Sequence, residues 1–186
     1  MTVKKNINFL EETFLGHSVN KWNPQSSTYL LGHYQGSFIL DLEQSHFLWK
    51  RSLRLIDKVI KERGDLLWVA SSPEISKIIQ VAATKCGHPY AIKQWVGGTL
   101  TNWKKMGWPS LPACIFVVET HFNPTIIKEA NLLNIPIIGL IDSNVNIEGI
   151  TYPIPSNDDS LLSIYNYCDS LTTYILNRKI KYSSKN

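Results

Sequence analysis

Long apolar runs are missing from this chain of 186 residues. None approaches the roughly 18 consecutive apolar residues that would indicate a membrane helix. Cysteine is scarce: Cys86, Cys114 and Cys168 are odd in number and far apart. Structural zinc spacings are therefore excluded, and each cysteine sits in an apolar pattern. They read as buried, reduced thiols of a reducing compartment, with one disulfide and a free thiol as the alternative. The five histidines, His17, His33, His46, His88 and His121, have no paired ligand spacing, so no metal site is expected. Charge is modest, with 19 basic and 15 acidic residues and a net +4. That balance permits a polyanionic partner without requiring one. Met1 to Phe14 carries two lysines, two glutamates and no arginine. It is unlike a secretory signal or an arginine-rich transit peptide, and the expectation is a protein that works where it is made. Repeats, low-complexity tracts and linkers are also lacking, so the length reads as one domain.

What is present is a set of short apolar runs at Leu66–Ala70, Cys114–Val118 and Ile137–Ile141. Continuous apolarity over four or five residues suits strands covered on both faces, as in a parallel sheet. Ser71-Ser72-Pro73-Glu74 predicts a helix start with a serine cap and an early proline. Ile75, Ile78, Ile79, Ala82, Ala83 and Cys86 then share a helical face, and Gly87 is a stop. Asn123-Pro124 predicts another helix, with Ile126, Ile127, Ala130 and Leu133 inward. Ser156-Asn157-Asp158-Asp159 predicts a third start, the aspartates serving as cap and dipole partners. His88–Ile92 is read as a short strand, and a helix is expected over about 43–63. The alternation gives a doubly wound α/β layer. Residues 1–42 read as a helix and turns appended to the core at 43–178, and 179–186 as a frayed basic tail.

Four chemical readings compete with structural ones. Gly97-Gly98-Thr99 offers amides to a phosphate, but the commoner reading of a glycine pair is a tight turn. It lacks the further glycines or lysine of the dinucleotide and P-loop fingerprints. The strand ends Ser71-Ser72, Glu119-Thr120-His121 and Asp142-Ser143-Asn144 supply a Ser/His/Asp set at the crevice where an α/β enzyme places its site, without a nucleophile elbow. Arg51, Arg54, Lys58 and Lys61 line one helix face, either solvated or set against phosphates. Aromatics beside lysines, as in Lys21-Trp22-Asn23 and Trp103-Lys104-Lys105, suit RNA or protein interfaces but also partial core burial.

Several separated blocks together resemble one family. They are Leu15-Gly16-His17, Trp22-Asn23-Pro24, Tyr29–Gly32, Ile39–Leu42, Gln94–Trp103, Leu111–Val118, Asn134–Asn144 and Tyr152–Ser160. All are similar to blocks of the second protein of the small ribosomal subunit, from about Phe9 to Ile175. The resemblance implies a flavodoxin-like α/β sandwich without catalysis, cofactor or small-molecule substrate. It implies binding to small-subunit ribosomal RNA and neighbouring ribosomal proteins, in the head–body region near the messenger exit. The expected RNA contacts are Lys21, Trp22, Asn23, Arg51, Arg54, Lys58, Thr99, Thr101, Asn102, Lys104 and Lys105. A small α/β enzyme or phospho-ligand-binding protein using the strand-end crevice is the alternative.

Two departures from the family pattern matter. Only Met106–Ser110 separates Lys105 from Leu111, where bacterial-type members carry a long helical hairpin. A bacterial-type signature without the hairpin resembles a mitochondrial member, and an Asn/Ile/Lys-rich composition fits synthesis inside the organelle. The second departure is Ala70-Ser71-Ser72, where relatives commonly have glycine, threonine and lysine.

Overall fold

A computed structural model describes residues 15–183. Its centre is a sheet of five strands, β4 (Leu66–Val69), β5 (Tyr90–Ala91), β6 (Cys114–Val117), β7 (Ile137–Ile141) and β8 (Tyr152–Pro155). All neighbours are parallel, in the order β5-β4-β6-β7-β8. Counted within this sheet the order is 2-1-3-4-5, that of flavodoxin-like folds, with the topological switch between β4 and β6. The apolar runs are continuous because both faces are covered. Leu66, Trp68, Cys114, Phe116, Ile138 and Leu140 point to one side, and Leu67, Val69, Ile115, Val117, Ile137 and Ile141 to the other.

The first side is covered by α1 (Leu42–Lys61), α2 (Pro73–Cys86) and α4 (Leu161–Ser183). Here the rings of Trp68 and Phe116 meet edge-on at 5.3 Å. Ile56, Ile79, Ile164 and Leu171 are sealed against them. The second side is covered by α3 (Pro124–Leu132) and by Leu100 from the long β5–β6 connection. α1 starts where Asp41 accepts from the amides of Glu43 (2.9 Å) and Gln44 (3.1 Å), as an N-cap carboxylate should.

Residues 1–14 of the expected helical extension lie outside the described residues. The described part before Leu42 carries no α-helix. It forms an antiparallel sheet of β1 (Leu15–Ser18), β2 (Leu30–Tyr34) and β3 (Ser37–Leu40), in the order β1-β3-β2, with 3₁₀ turns at Val19–Lys21 and Pro24–Tyr29. Gln35 (φ 49°) and Gly36 (φ 83°) both take positive φ in a two-residue hairpin loop. That is the loop whose twist matches paired strands.

Two further expectations are corrected. α4 begins at Leu161, not at residue 156. Asn157 instead folds the approach, accepting from the amides of Asp159 and Ser160, and Ser160 Oγ accepts from the Ser163 amide. At its other end α4 continues as helix to Ser183, so residues 179–183 are not a frayed tail. Lys179 Nζ donates to the Cys86 carbonyl at 2.6 Å and the Tyr182 hydroxyl to Asp57 at 3.0 Å.

Candidate functional site

The carboxyl ends of β4 and β6 flank the switch point, where a ligand of this fold would sit. That crevice is filled from within by Glu119, which follows β6 and is 2% exposed. One of its oxygens accepts from the amides of Ser71 (2.8 Å) and Ser72 (2.9 Å), and the other from the Ser72 hydroxyl at 2.5 Å. These donors sit at the amino end of α2, whose dipole favours an anion. The carboxylate therefore stands where a ligand phosphate would. Ser72 makes no side-chain cap to its own helix, contrary to the sequence expectation, because its hydroxyl is engaged by Glu119.

The Gly97-Gly98-Thr99 turn repeats the arrangement on the other side of the sheet. Amides of Gly98 (2.6 Å), Leu100 (2.8 Å) and Thr101 (3.2 Å) converge on the carboxylate of Glu129 from α3. Gly98 has φ +90°, open to glycine at little cost. Burial alone would raise the Glu129 pKa, but the three amides and the Trp95 indole outweigh it and hold the carboxyl below its usual range. The amide nest exists, and its anion is part of the chain.

The Ser/His/Asp set does not assemble. The Ser71 hydroxyl donates to Asn123 (2.9 Å) and the Ser72 hydroxyl to Glu119, so neither faces a histidine. His121 Nδ1 is instead 3.1 Å from Asp158, and this bond is the main cause of its raised pKa. Asp142 approaches His17 (3.0 Å), whose other nitrogen meets Asp159 (3.2 Å). Asp158 and Asp159 thus hold histidines and lie ahead of the first turn of α4, not within it. The pairing of His17 with Asp142 and Asp159, far along the chain, leaves no trace in sequence spacing.

The residues expected to touch RNA occupy three places. Arg51, Arg54 and Lys58 are exposed on the outside of α1, with the Arg51 guanidinium 5.8 Å from the centre of the Tyr152 ring. Thr101, Asn102, Lys104 and Lys105 are exposed on the β5–β6 connection, which packs on the opposite side of the sheet. Lys104 lies 5.5 Å from the centre of the Trp103 ring. Lys21 and Trp22 are exposed beside the strand ends, where the Asn23 amide donates to the Ser143 carbonyl and its side chain caps the next turn. Thr99 differs from the rest. It is 8% exposed, and its hydroxyl donates to the Val96 carbonyl at 2.6 Å, so it braces the turn from behind.

Comparison with known proteins fits this architecture. A profile of the family described as Ribosomal protein S2 matches residues 10–108 and 105–177. The chain belongs to the ribosomal protein S2 family. Among similar proteins, the Small ribosomal subunit protein uS2 of Phenylobacterium zucineum (strain HLK1) is 32% identical over 207 residues, covering 87% of this chain and 70% of that protein. The Small ribosomal subunit protein uS2 of Acidiphilium cryptum (strain JF-5) is 30% identical over 207 residues, covering 87% and 80%. That of Paramagnetospirillum magneticum (strain ATCC 700264 / AMB-1) is 29% identical over 206 residues, covering 87% and 77%. These spans exceed the 186 residues of this chain, so the relatives carry residues without a counterpart here. The two matched pieces meet at residues 105–108. At that junction the structure has only turns and bends between Lys105 and Leu111.

Proposed function

We propose that this protein is a structural component of the small ribosomal subunit of mitochondria, made inside the organelle. In that setting it binds small-subunit ribosomal RNA and neighbouring ribosomal proteins. The observation that carries the reading is the family match over nearly the whole described chain. Two features support the RNA-binding part. Arg51, Arg54, Lys58 and Lys61 project from α1 without an ion-pair partner among the described residues. An aligned cationic face of this kind neutralises phosphates and gives salt-dependent affinity. Lys104 and Lys105, with Thr101 and Asn102, form a second surface across the sheet, and Lys21, Trp22 and Asn23 a third. Thr99 is left out, since its hydroxyl is engaged within the turn. Three separated surfaces suit a protein wedged between several RNA and protein elements better than one bound to a single RNA helix.

The relatives are bacterial, and the mitochondrial part of the reading is supported by the missing hairpin and the Asn/Ile/Lys-rich composition. The amides at Ser71-Ser72 and at the 98–101 turn are occupied by Glu119 and Glu129, which weighs against a phospho-ligand at either place. Sedimentation of a native mitochondrial extract, probed for this chain, tests the proposal. Co-migration with the small subunit in moderate salt is the expected result. A peak at the top of the gradient would overturn it.

A further inference from the structure

One cluster at the junction of the two sheets is left without a role by the ribosomal reading. It comprises His17 on β1, Asp142 just after β7 and Asp158 ahead of α4. One donor atom from each lies within 4.8 Å of the others. Asp142 and Asp158 are each 1% exposed. Their oxygens are unequally engaged. Asp142 Oδ1 accepts from the amides of His17 (3.2 Å) and Ser143. Asp158 Oδ2 faces His121 Nδ1 at 3.1 Å. The remaining oxygens, Asp142 Oδ2 and Asp158 Oδ1, are buried without a hydrogen-bond donor. Two buried carboxylates with idle oxygens in one small volume repel each other unless a proton or a metal cation stands between them.

The orientation of His17 points to what that charge is. Its Nε2 lies 3.2 Å from Asp159, whose carboxylate is exposed. In the tautomer with its proton on Nε2, toward that carboxylate, the imidazole carries its lone pair on Nδ1. That lone pair faces Asp142 Oδ2 at 3.0 Å, in a contact without hydrogen-bond geometry. Two acceptors at 3.0 Å are unfavourable alone, but donors sharing one zinc ion, each about 2.0–2.2 Å from it, stand about 3.3 Å apart. An imidazole braced through its second nitrogen by a carboxylate is the usual outer arrangement of a metal-bound histidine. His121 on Asp158 Oδ2 braces the second ligand in the same way.

We propose that His17 Nδ1, Asp142 Oδ2 and Asp158 Oδ1 bind one divalent zinc-type cation, with water completing the shell. An imidazole with two carboxylates suits zinc, whereas magnesium and calcium prefer oxygen alone. Asp142 and Asp158 belong to the α/β core and His17 to the N-terminal sheet, so the ion fastens one to the other. Gly16 fits this close approach: a Cβ there would stand 2.7 Å from Asp142 Oδ1. The inference concerns the isolated chain and does not depend on the ribosomal reading.

The test uses the full chain, stripped with chelator and titrated with zinc alone, then separately with magnesium. One equivalent of zinc is expected to bind, and saturation at about a hundred times Kd should raise Tm by about 5–10 °C. Magnesium should do neither. The D142N/D158N variant should lose both zinc responses. Cobalt added to the wild-type chain should give the strong visible bands of a low-coordinate site, a readout that does not require the variant to fold. Zinc binding that the variant retains, or a cobalt spectrum no different from the hydrated ion, would overturn the proposal and leave protons as what balances the cluster.

Discussion

Two pairs of buried carboxylates divide this molecule. Glu119 and Glu129 are each surrounded by donors from the chain: three for Glu119, and three amides with an indole for Glu129. Asp142 and Asp158 are equally buried, yet each keeps one oxygen without a donor. The first pair converts two places that would accept an anion into fixed parts of the framework. The second leaves a place that calls for a cation. Burial alone therefore does not mark a functional carboxylate; what separates the pairs is how many donors the surrounding backbone supplies.

The largest effect is expected from Glu129→Ala. It deprives three amides of the central turn of their acceptor and should cost about 3 kcal/mol. That corresponds to a Tm lowered by about 6–12 °C in a chain of this size. A loss below about 0.5 kcal/mol would erase the distinction between the two pairs. Acid should act on the same group with a defined sign. Its folded pKa is depressed, so its stabilisation is complete above the unfolded value of about 4.3 and is lost as pH falls through the folded value. The stability gap between wild type and Glu129→Gln, followed by denaturant melts, should accordingly shrink as pH falls below about 4.3. A constant gap would show that the charge is not what the amides recognise.

A smaller effect sharpens the contrast from the other direction. Glu119→Ala vacates the amino end of α2, and sulfate should then stabilise the variant by about 1 kcal/mol, or about 2–4 °C in Tm, while leaving wild type unmoved. Equal responses of the two proteins would mean that Glu119 is not standing in for an anion. Smallest of all on stability is the exposed stripe outside both pairs. Replacing Arg51, Arg54 and Lys58 together by alanine should change folding by no more than about 0.5 kcal/mol. It should nonetheless weaken incorporation into the small subunit as salt rises. Unchanged incorporation at elevated salt would remove the α1 face from the RNA-binding surface.

The parallel core was legible in the sequence because its physics is local. A strand covered on both faces must be apolar throughout, and the runs at 66–70, 114–118 and 137–141 have no other economical reading. Pro73 and Pro124 likewise sit within the first turn of their helices. The N-terminal sheet was not legible. Its strands are four or five residues long and largely half-exposed, so no alternating pattern stands out. The one local signal was Tyr34-Gln35-Gly36-Ser37, a glycine second in a two-residue loop. Glu129 was silent for a different reason. At its position in α3 it reads as an ordinary acid on a helix, and only the fold brings the 98–101 turn to it. The His17, Asp142 and Asp158 cluster was equally silent, since metal-site recognition in sequence depends on short spacings that it lacks.

The three thiols lie deep in the apolar layer that α2, α4 and the sheet share: Cys114 in the central strand β6, Cys86 at the end of α2, and Cys168 in α4. Burial pushes Cys114 and Cys168 up to about 12 and raises Cys86 as well. Since only the thiolate attacks, these thiols are almost wholly protonated and unreactive near neutral pH even before access is considered. An alkylating reagent consequently reacts almost solely with molecules whose layers have parted. The chain carries its own clock for opening: alkylation at Cys86 and Cys168 times the separation of the two helices, and alkylation at Cys114 times the parting of the sheet beneath them.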